Sequence, residues 1–217
     1  MQTSKVRKVD ITGVLRMFFV ERLVLGAVRT NCYFLSNDKK EVVIIDPADR
    51  ADIIINFIAE KGLKPLAILL THGHFDHIGA ADELRREYDI KVYAHKDEKD
   101  VLNMQDYNLS ASFDMDISID ADVYLADGQV FELGGFTFKT VHTPGHTKGS
   151  VCYVIGDMIF SGDTLFEGTH GRTDFPTGSQ SAMVRSIKEK LLVLDENMKV
   201  YPGHNMETTI GEEKRYY

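Results

Sequence analysis

Short runs of apolar residues alternate along the chain with longer stripes of helical period. FFVERLVLG (18–26), NCYFLSN (31–37) and EVVIIDP (41–47) are rich in branched and aromatic residues and read as β-strands. A helix is predicted from about Asp49 to Gly62, with Ile54, Phe57 and Ile58 on one face and Gly62 as its stop. Leu66 to Leu70 reads as a buried strand. A helix near Ala80 to Tyr88, a strand KVYAH and a short helix near Lys96 to Met104 complete the first half. The second half repeats this rhythm: VYLADG, QVFELGG, FTFKTVH, SVCYVIG and DMIFSGD are strand-like runs separated by glycine turns. A helix from about Ser179 to Asp195 follows, with Ser179 as cap and Met183, Ile187, Leu191 and Leu194 on one stripe. KVYPGH reads as the last strand. Turn signals fall at short intervals and no linker interrupts them, so residues 17–217 are expected to form one domain. Residues 1–16 read as an N-terminal extension, because Met17 would also serve as a start. Two strand-rich halves, each closed by helices, predict an α/β fold of two packed sheets with helices outside.

The strand Leu66 to Leu70 empties into THGHFDHIG, which sets His72, His74, Asp76 and His77 within six positions. Burying such groups without partners is costly, so something must satisfy them. In extended backbone, residues i and i+2 point the same way, so His72 and His74 can grip one ion while Asp76 and His77 turn toward another. Three further groups, His146 in VHTPGHTKGS, Asp163 in IFSGDTLF and His204 in VYPGHN, each follow an apolar run beside glycine or proline. Turns at one edge of the sheets would present them together. Seven such ligands suffice for two metal ions.

Composition narrows the remaining choices. A formal charge of −8, with acids and bases interspersed, argues against a nucleic-acid backbone or an anionic membrane surface as partner. No stretch approaches the length of a membrane span, and the N-terminal segment carries no small-residue cleavage site. The chain is therefore read as cytoplasmic. Cys32 and Cys152 sit inside apolar runs with no framework spacing and are expected to be free thiols in the core.

THGHFDHIG, the later HTPGHT, GDTLF and PGH together resemble the metallo-β-lactamase superfamily, with motifs running from His72 to His204. The resemblance implies a four-layer αββα sandwich with the site at one edge. It also implies the ligand assignment: His72, His74 and His146 for one ion, Asp76, His77 and His204 for the other, and Asp163 bridging. Two divalent ions are expected, zinc foremost, with iron or manganese as alternatives. Within the superfamily, GRTDFP at 171–176 resembles the short glyoxalase II-like hydrolases and also the persulfide dioxygenases. Asp163 departs from the many zinc β-lactamases that carry cysteine there, and His74 departs from the flavodiiron proteins, which carry glutamate. The chain ends soon after His204, at Tyr217, so the C-terminal helical domain with which full-length glyoxalase II grips glutathione is expected to be absent.

The activity this implies is hydrolysis of a thioester or related small acyl compound by a metal-bridging hydroxide, with Asp76 orienting the nucleophile or shuttling its proton. Two ions facing Asp76, Asp163 and a hydroxide leave net positive charge, which suits a small anionic acyl thioester as substrate. Arg172 stands where the resembling enzymes place a basic residue near the substrate and could bind a carboxylate; pairing with Asp174 is the structural alternative. His142, four residues before His146, is a candidate to orient a ligand. A mononuclear iron persulfide dioxygenase built on His72, His146 and Asp163 is the competing reading. A purely structural metal would favour a closed four-coordinate shell, often with cysteine.

Overall fold

The computed structural model describes residues 3–9 and 15–217 and forms two mixed β-sheets packed face to face. The first holds seven strands in sequence order: β1 (Thr3–Val9), β2 (Leu15–Leu25), β3 (Thr30–Asn37), β4 (Glu41–Ile45), β5 (Lys64–Leu69), β6 (Lys91–His95) and β7 (Val123–Leu125). Its first four strands are antiparallel neighbours, and β4 to β7 run parallel. The second holds six: β8 (Val130–Leu133), β9 (Phe136–His142), β10 (Val151–Ile155), β11 (Met158–Gly162), β12 (Lys199–Pro202) and β13 (Thr208–Thr209), antiparallel except for the parallel pair β11 and β12. The expected extension, residues 1–16, lies partly outside the described residues; within it, Thr3–Val9 is the strand that pairs with β2.

Helices α1 (Ala51–Lys61), α2 (Phe75–Ile78), α3 (Ala81–Tyr88), α4 (Lys99–Asn103), α5 (Gln180–Arg185) and α6 (Ile210–Glu213) connect or cover the strands. The alternation of side chains explains why the central strands read as continuous apolar runs. In β3, Tyr33 and Leu35 point to the inter-sheet core, while Cys32 and Phe34 point to the layer under α1 and α3. In β4, Val43 and Ile45 face inward and Val42 and Ile44 outward. The second sheet mirrors this. Tyr153 and Phe160 join the inter-sheet core with Tyr33, whereas Cys152, Ile159 and Val200 pack against Met183, Ile187 and Leu191. The layers are thus α, β, β, α. Both cysteines are buried and free.

Three element boundaries differ from expectation. The helix predicted from Ser179 to Asp195 begins at its cap, where the Ser179 hydroxyl accepts from the Ala182 N–H, but changes to a π-helix over Ser186–Leu191 and ends there. Met183, Ile187 and Leu191 recur every four residues, a spacing that drifts around an α-helix and is better held on one side by a wider turn. Leu194 lies beyond the helix and is only partly buried. The short helix predicted from Lys96 to Met104 opens as a 3₁₀ turn, Lys96–Glu98, before α4. Helix α2 was not expected: it is one turn inside the histidine-rich loop. Among the described residues no helix is long and apolar enough to cross a membrane.

Candidate metal centre

All seven residues singled out from the sequence meet at one edge of the sandwich. β5 delivers His72 and His74 in extended backbone, and α2 then turns Asp76 and His77 to the other side of the cluster. The loop after β9 brings His146, the end of β11 brings Asp163, and the end of β12 brings His204. Two groups result: His72, His74 and His146, and Asp76, His77 and His204, with the ligand atoms in each within 4.8 Å of one another. Asp163 stands between them. Its Oδ1 lies 3.4 Å from His77 Nε2, and its Oδ2 lies 3.4 Å from His146 Nε2 and 3.5 Å from His204 Nε2.

The chemistry of this donor set fits metal ions. His72 Nε2, His74 Nε2, His77 Nε2 and Asp163 Oδ1 are buried polar atoms without a hydrogen-bond partner. Such orphans are expensive in a protein interior unless a ligand satisfies them. The second ring nitrogens of His77, His146 and His72 are braced as metal-binding histidines usually are, whereas His74 Nδ1 faces His146 Nε2 at 2.8 Å inside the cluster. His77 Nδ1 is 2.9 Å from Asp46 Oδ2, His146 Nδ1 is 2.6 Å from the Arg172 carbonyl, and His72 Nδ1 is 3.2 Å from Thr71 Oγ1. The Thr30 hydroxyl donates to Asp76 Oδ2 at 2.6 Å.

Electrostatics separates the two groups. Burial holds His72 well below the usual histidine range and takes His74 down to about 3; neighbouring histidines add to the effect. Burial likewise lowers His146. These imidazoles are neutral, with lone pairs available. For His77, burial acts in the same direction but is overcome by Asp76, Asp163 and Asp46, which raise it well above the usual range. For Asp163, burial opposes ionisation, yet His77 and His146 bring its carboxyl down to about 2. An ion entering the second group therefore displaces protons as it binds.

Several bracing residues carried no signal in the sequence. Asp46 looked like the polar end of a strand, but its carboxylate accepts from the Thr71 N–H and hydroxyl as well as facing His77. Thr30 stands just before the run NCYFLSN and was not singled out. Arg172 stands at the cleft wall with its guanidinium bound bidentately to Asp174, at 2.9 and 2.7 Å, and stacked over Phe175; its firmest link to the site is its backbone carbonyl. His142 does not bond His146. Its Nε2 meets the Lys148 carbonyl at 2.9 Å, and its ring stacks on His95 with centroids 4.1 Å apart and planes 15° from parallel. Asp97 lies beside this pair, with ligand-type atoms of the three within 4.8 Å of one another, but His142 Nε2 is taken by the Lys148 carbonyl and the rings stack face to face, so we read the pair as packing.

The centre opens into a cleft of about 550 Å³ whose walls include Val28, Phe75, Leu109, Phe113, Phe166 and Phe175, with His170 and Arg172 among the polar lining. An apolar cleft with a few converging polar groups is the usual form of a small-molecule site.

Comparison with known proteins agrees with this geometry. The chain is similar to the probable metallo-hydrolase YqgX of Bacillus subtilis, at 43% identity over 89% of this chain and 93% of that one. It is similar to the hydroxyacylglutathione hydrolase GloC of Haemophilus influenzae, at 36% identity over 90% and 95%. Among solved structures, the BLEG-1 B3 metallo-beta-lactamase superposes with a TM-score of 0.87 at 42% identity, covering 90% of this chain and 96% of that one. The di-iron-bound form of TTHA1623 superposes with 0.82 at 35%, covering 91% and 98%. The profile of the metallo-beta-lactamase superfamily matches residues 25–204, a span that contains both ligand groups and the strands presenting them, so the chain belongs to that superfamily.

Proposed function

We propose that the chain is a dinuclear metal-dependent hydrolase of thioesters or related small acyl compounds. The observation that carries this reading is the placement of Asp163 between two groups of metal-type side chains, in which His72, His74 and His77 each have a buried Nε2 without a partner, at the floor of an open cleft. His72, His74 and His146 would hold one ion, Asp76, His77 and His204 the other, and Asp163 would be shared. Bound divalent ions would supply Lewis acidity and a water that ionises near neutral pH. The residues of the chain do the rest. Asp76 is kept ionised against its burial by His77, His204 and Thr30. Its Oδ2 accepts from the Thr30 hydroxyl and lies 3.4 Å from His204 Nε2, which fixes the carboxylate in the second group, where it would orient the nucleophile or take up its proton. The aromatic walls exclude water and pack the acyl or thiol part of the substrate. Arg172 keeps Nη1 outside its pair with Asp174, and we assign that atom to an anionic group of the substrate.

The similarity to GloC supports a thioester, and S-lactoylglutathione is the first compound to assay. The similarity to BLEG-1 makes a β-lactam the necessary comparison substrate. A second reading, oxygen-dependent oxidation of glutathione persulfide at one iron, draws on His72, His146 and Asp163 as a two-histidine, one-carboxylate set. Elemental analysis of protein purified without oxygen or added metal separates them. About two divalent ions per chain with thioester turnover supports the hydrolase; about one iron per chain, with oxygen uptake on glutathione persulfide, replaces it.

A further inference from the structure

Glu98 lies in a run of charges, HKDEKD, where Lys96, Lys99 and Asp100 are exposed, yet Glu98 itself is completely buried. Its partners are two loops that carry metal-type ligands. Oε1 accepts from the backbone N–H of Gly73, the residue between His72 and His74, at 2.8 Å. Oε2 accepts from the hydroxyl of Thr147, the residue after His146, at 2.9 Å, and the backbone N–H of Gly149 also donates to the carboxylate. The space is shaped for it: a Cβ on Gly149 would collide with the Glu98 backbone and carboxylate, and one on Gly73 would press on the Leu102 backbone at 3.0 Å. A buried carboxylate costs desolvation, and burial is the main reason its pKa is raised. What it provides in return is geometry, since its two oxygens hold two loops from different sheets at a set distance.

We propose that Glu98 is a positioning residue: by joining the Gly73 turn to the Thr147 turn it assembles His72, His74 and His146 before an ion arrives. The proposal rests on the assignment of those histidines as ligands. It predicts an asymmetry, because the other group is braced by different residues, Asp46 on His77 and Thr30 on Asp76. Glu98 should therefore matter for one ion and not for both.

The test is a zinc titration of the metal-free chain against a competing chelator, resolving two binding steps, for the wild type, Glu98→Gln and Thr147→Val. Melting of each metal-free protein is measured alongside. Glu98→Gln is expected to weaken one step by roughly 10- to 100-fold and to leave the other within about threefold. Thr147→Val, which keeps Glu98 but removes one of its donors, should weaken the same step by less, and neither metal-free variant should melt below the wild type. Two unchanged steps in either variant would overturn the proposal. So would equal weakening of both steps together with a fall in melting temperature, which is the behaviour of a general strut. A wild-type chain that binds no zinc would remove the metal-centre reading itself, and the role of Glu98 with it.

Discussion

At the scale of single residues, Asp163 stands between both groups of candidate ligands. Its Oδ2 lies 3.4 Å from His146 and 3.5 Å from His204, which belong to different groups, and its Oδ1 lies 3.4 Å from His77. Asp163→Ala should lose at least one of two ions per chain by elemental analysis and lower kcat by at least about 100-fold; full metal content with full activity would remove Asp163 from the site. Arg172 calls for a different readout, because its guanidinium is exposed and already paired with Asp174. If Nη1 meets a substrate anion, Arg172→Ala raises KM for an anionic thioester several-fold and leaves kcat nearly unchanged. An equal KM for charged and neutral thioesters in the variant and wild type would exclude that contact. Glu98 gives a pH signature. Burial raises its pKa from 4.5 to about 7. A carboxyl whose folded pKa is raised contributes stability that is fully present below the unfolded pKa and lost as pH rises through the folded one. The metal-free wild type should therefore lose stability relative to Glu98→Gln between about pH 4.5 and 7, on the order of 3 kcal/mol. Parallel melting curves of the two proteins across that range would refute it.

At the scale of elements, the ends of β11 and β12 decide how close the ligands can come. Gly203 follows β12 directly, and a Cβ there would collide with Asp163 Oδ1 and press on His77 Cε1 at 2.7 Å. Asp46 holds His77, and Asp163 can turn away only by leaving its place beside His146 and His204, so neither gives way cheaply. Gly203→Ala should lower metal content and activity by at least tenfold while far-ultraviolet circular dichroism stays that of the wild type; normal metal content would show that the turn has slack. The elements also show where sequence patterns are informative. Strands β3, β4 and β10 were legible because burial on both faces leaves an uninterrupted apolar run bounded by turn residues. Helix α2 was not, because four residues are too few to show a period and its sequence, FDHI, is set by the ligands it must present.

At the scale of the whole molecule, three apolar clusters hold the layers together without reference to the centre. The metal-free chain should therefore remain folded but be less stable, because ions that bind only the native state add to its stability by mass action. For a chain of this size, a chelator should lower the melting temperature by on the order of 5–10 °C with a single cooperative transition retained. Unfolding of the chain on metal removal would instead assign the ions a structural role.

The candidate ligands were visible in the sequence as four metal-type side chains within six positions at a strand end and three more closing apolar strands, and the structure brings all seven together. The fold class followed from strand and helix patterns of matching rhythm in the two halves. What the sequence could not show was the division of labour around those ligands. Asp46, Thr30 and Glu98 are ordinary residues in their local context, and one of them sits in a run of charges that reads as solvated. Only the packing of β6 and its following turn against the loop after β9 buries Glu98 beneath two ligand-bearing turns. Only the folded chain turns the guanidinium of Arg172 to Asp174 and its carbonyl to His146. Side-chain chemistry and period are local properties that a sequence carries directly, whereas hydrogen bonds between residues tens of positions apart exist only once the two sheets have met.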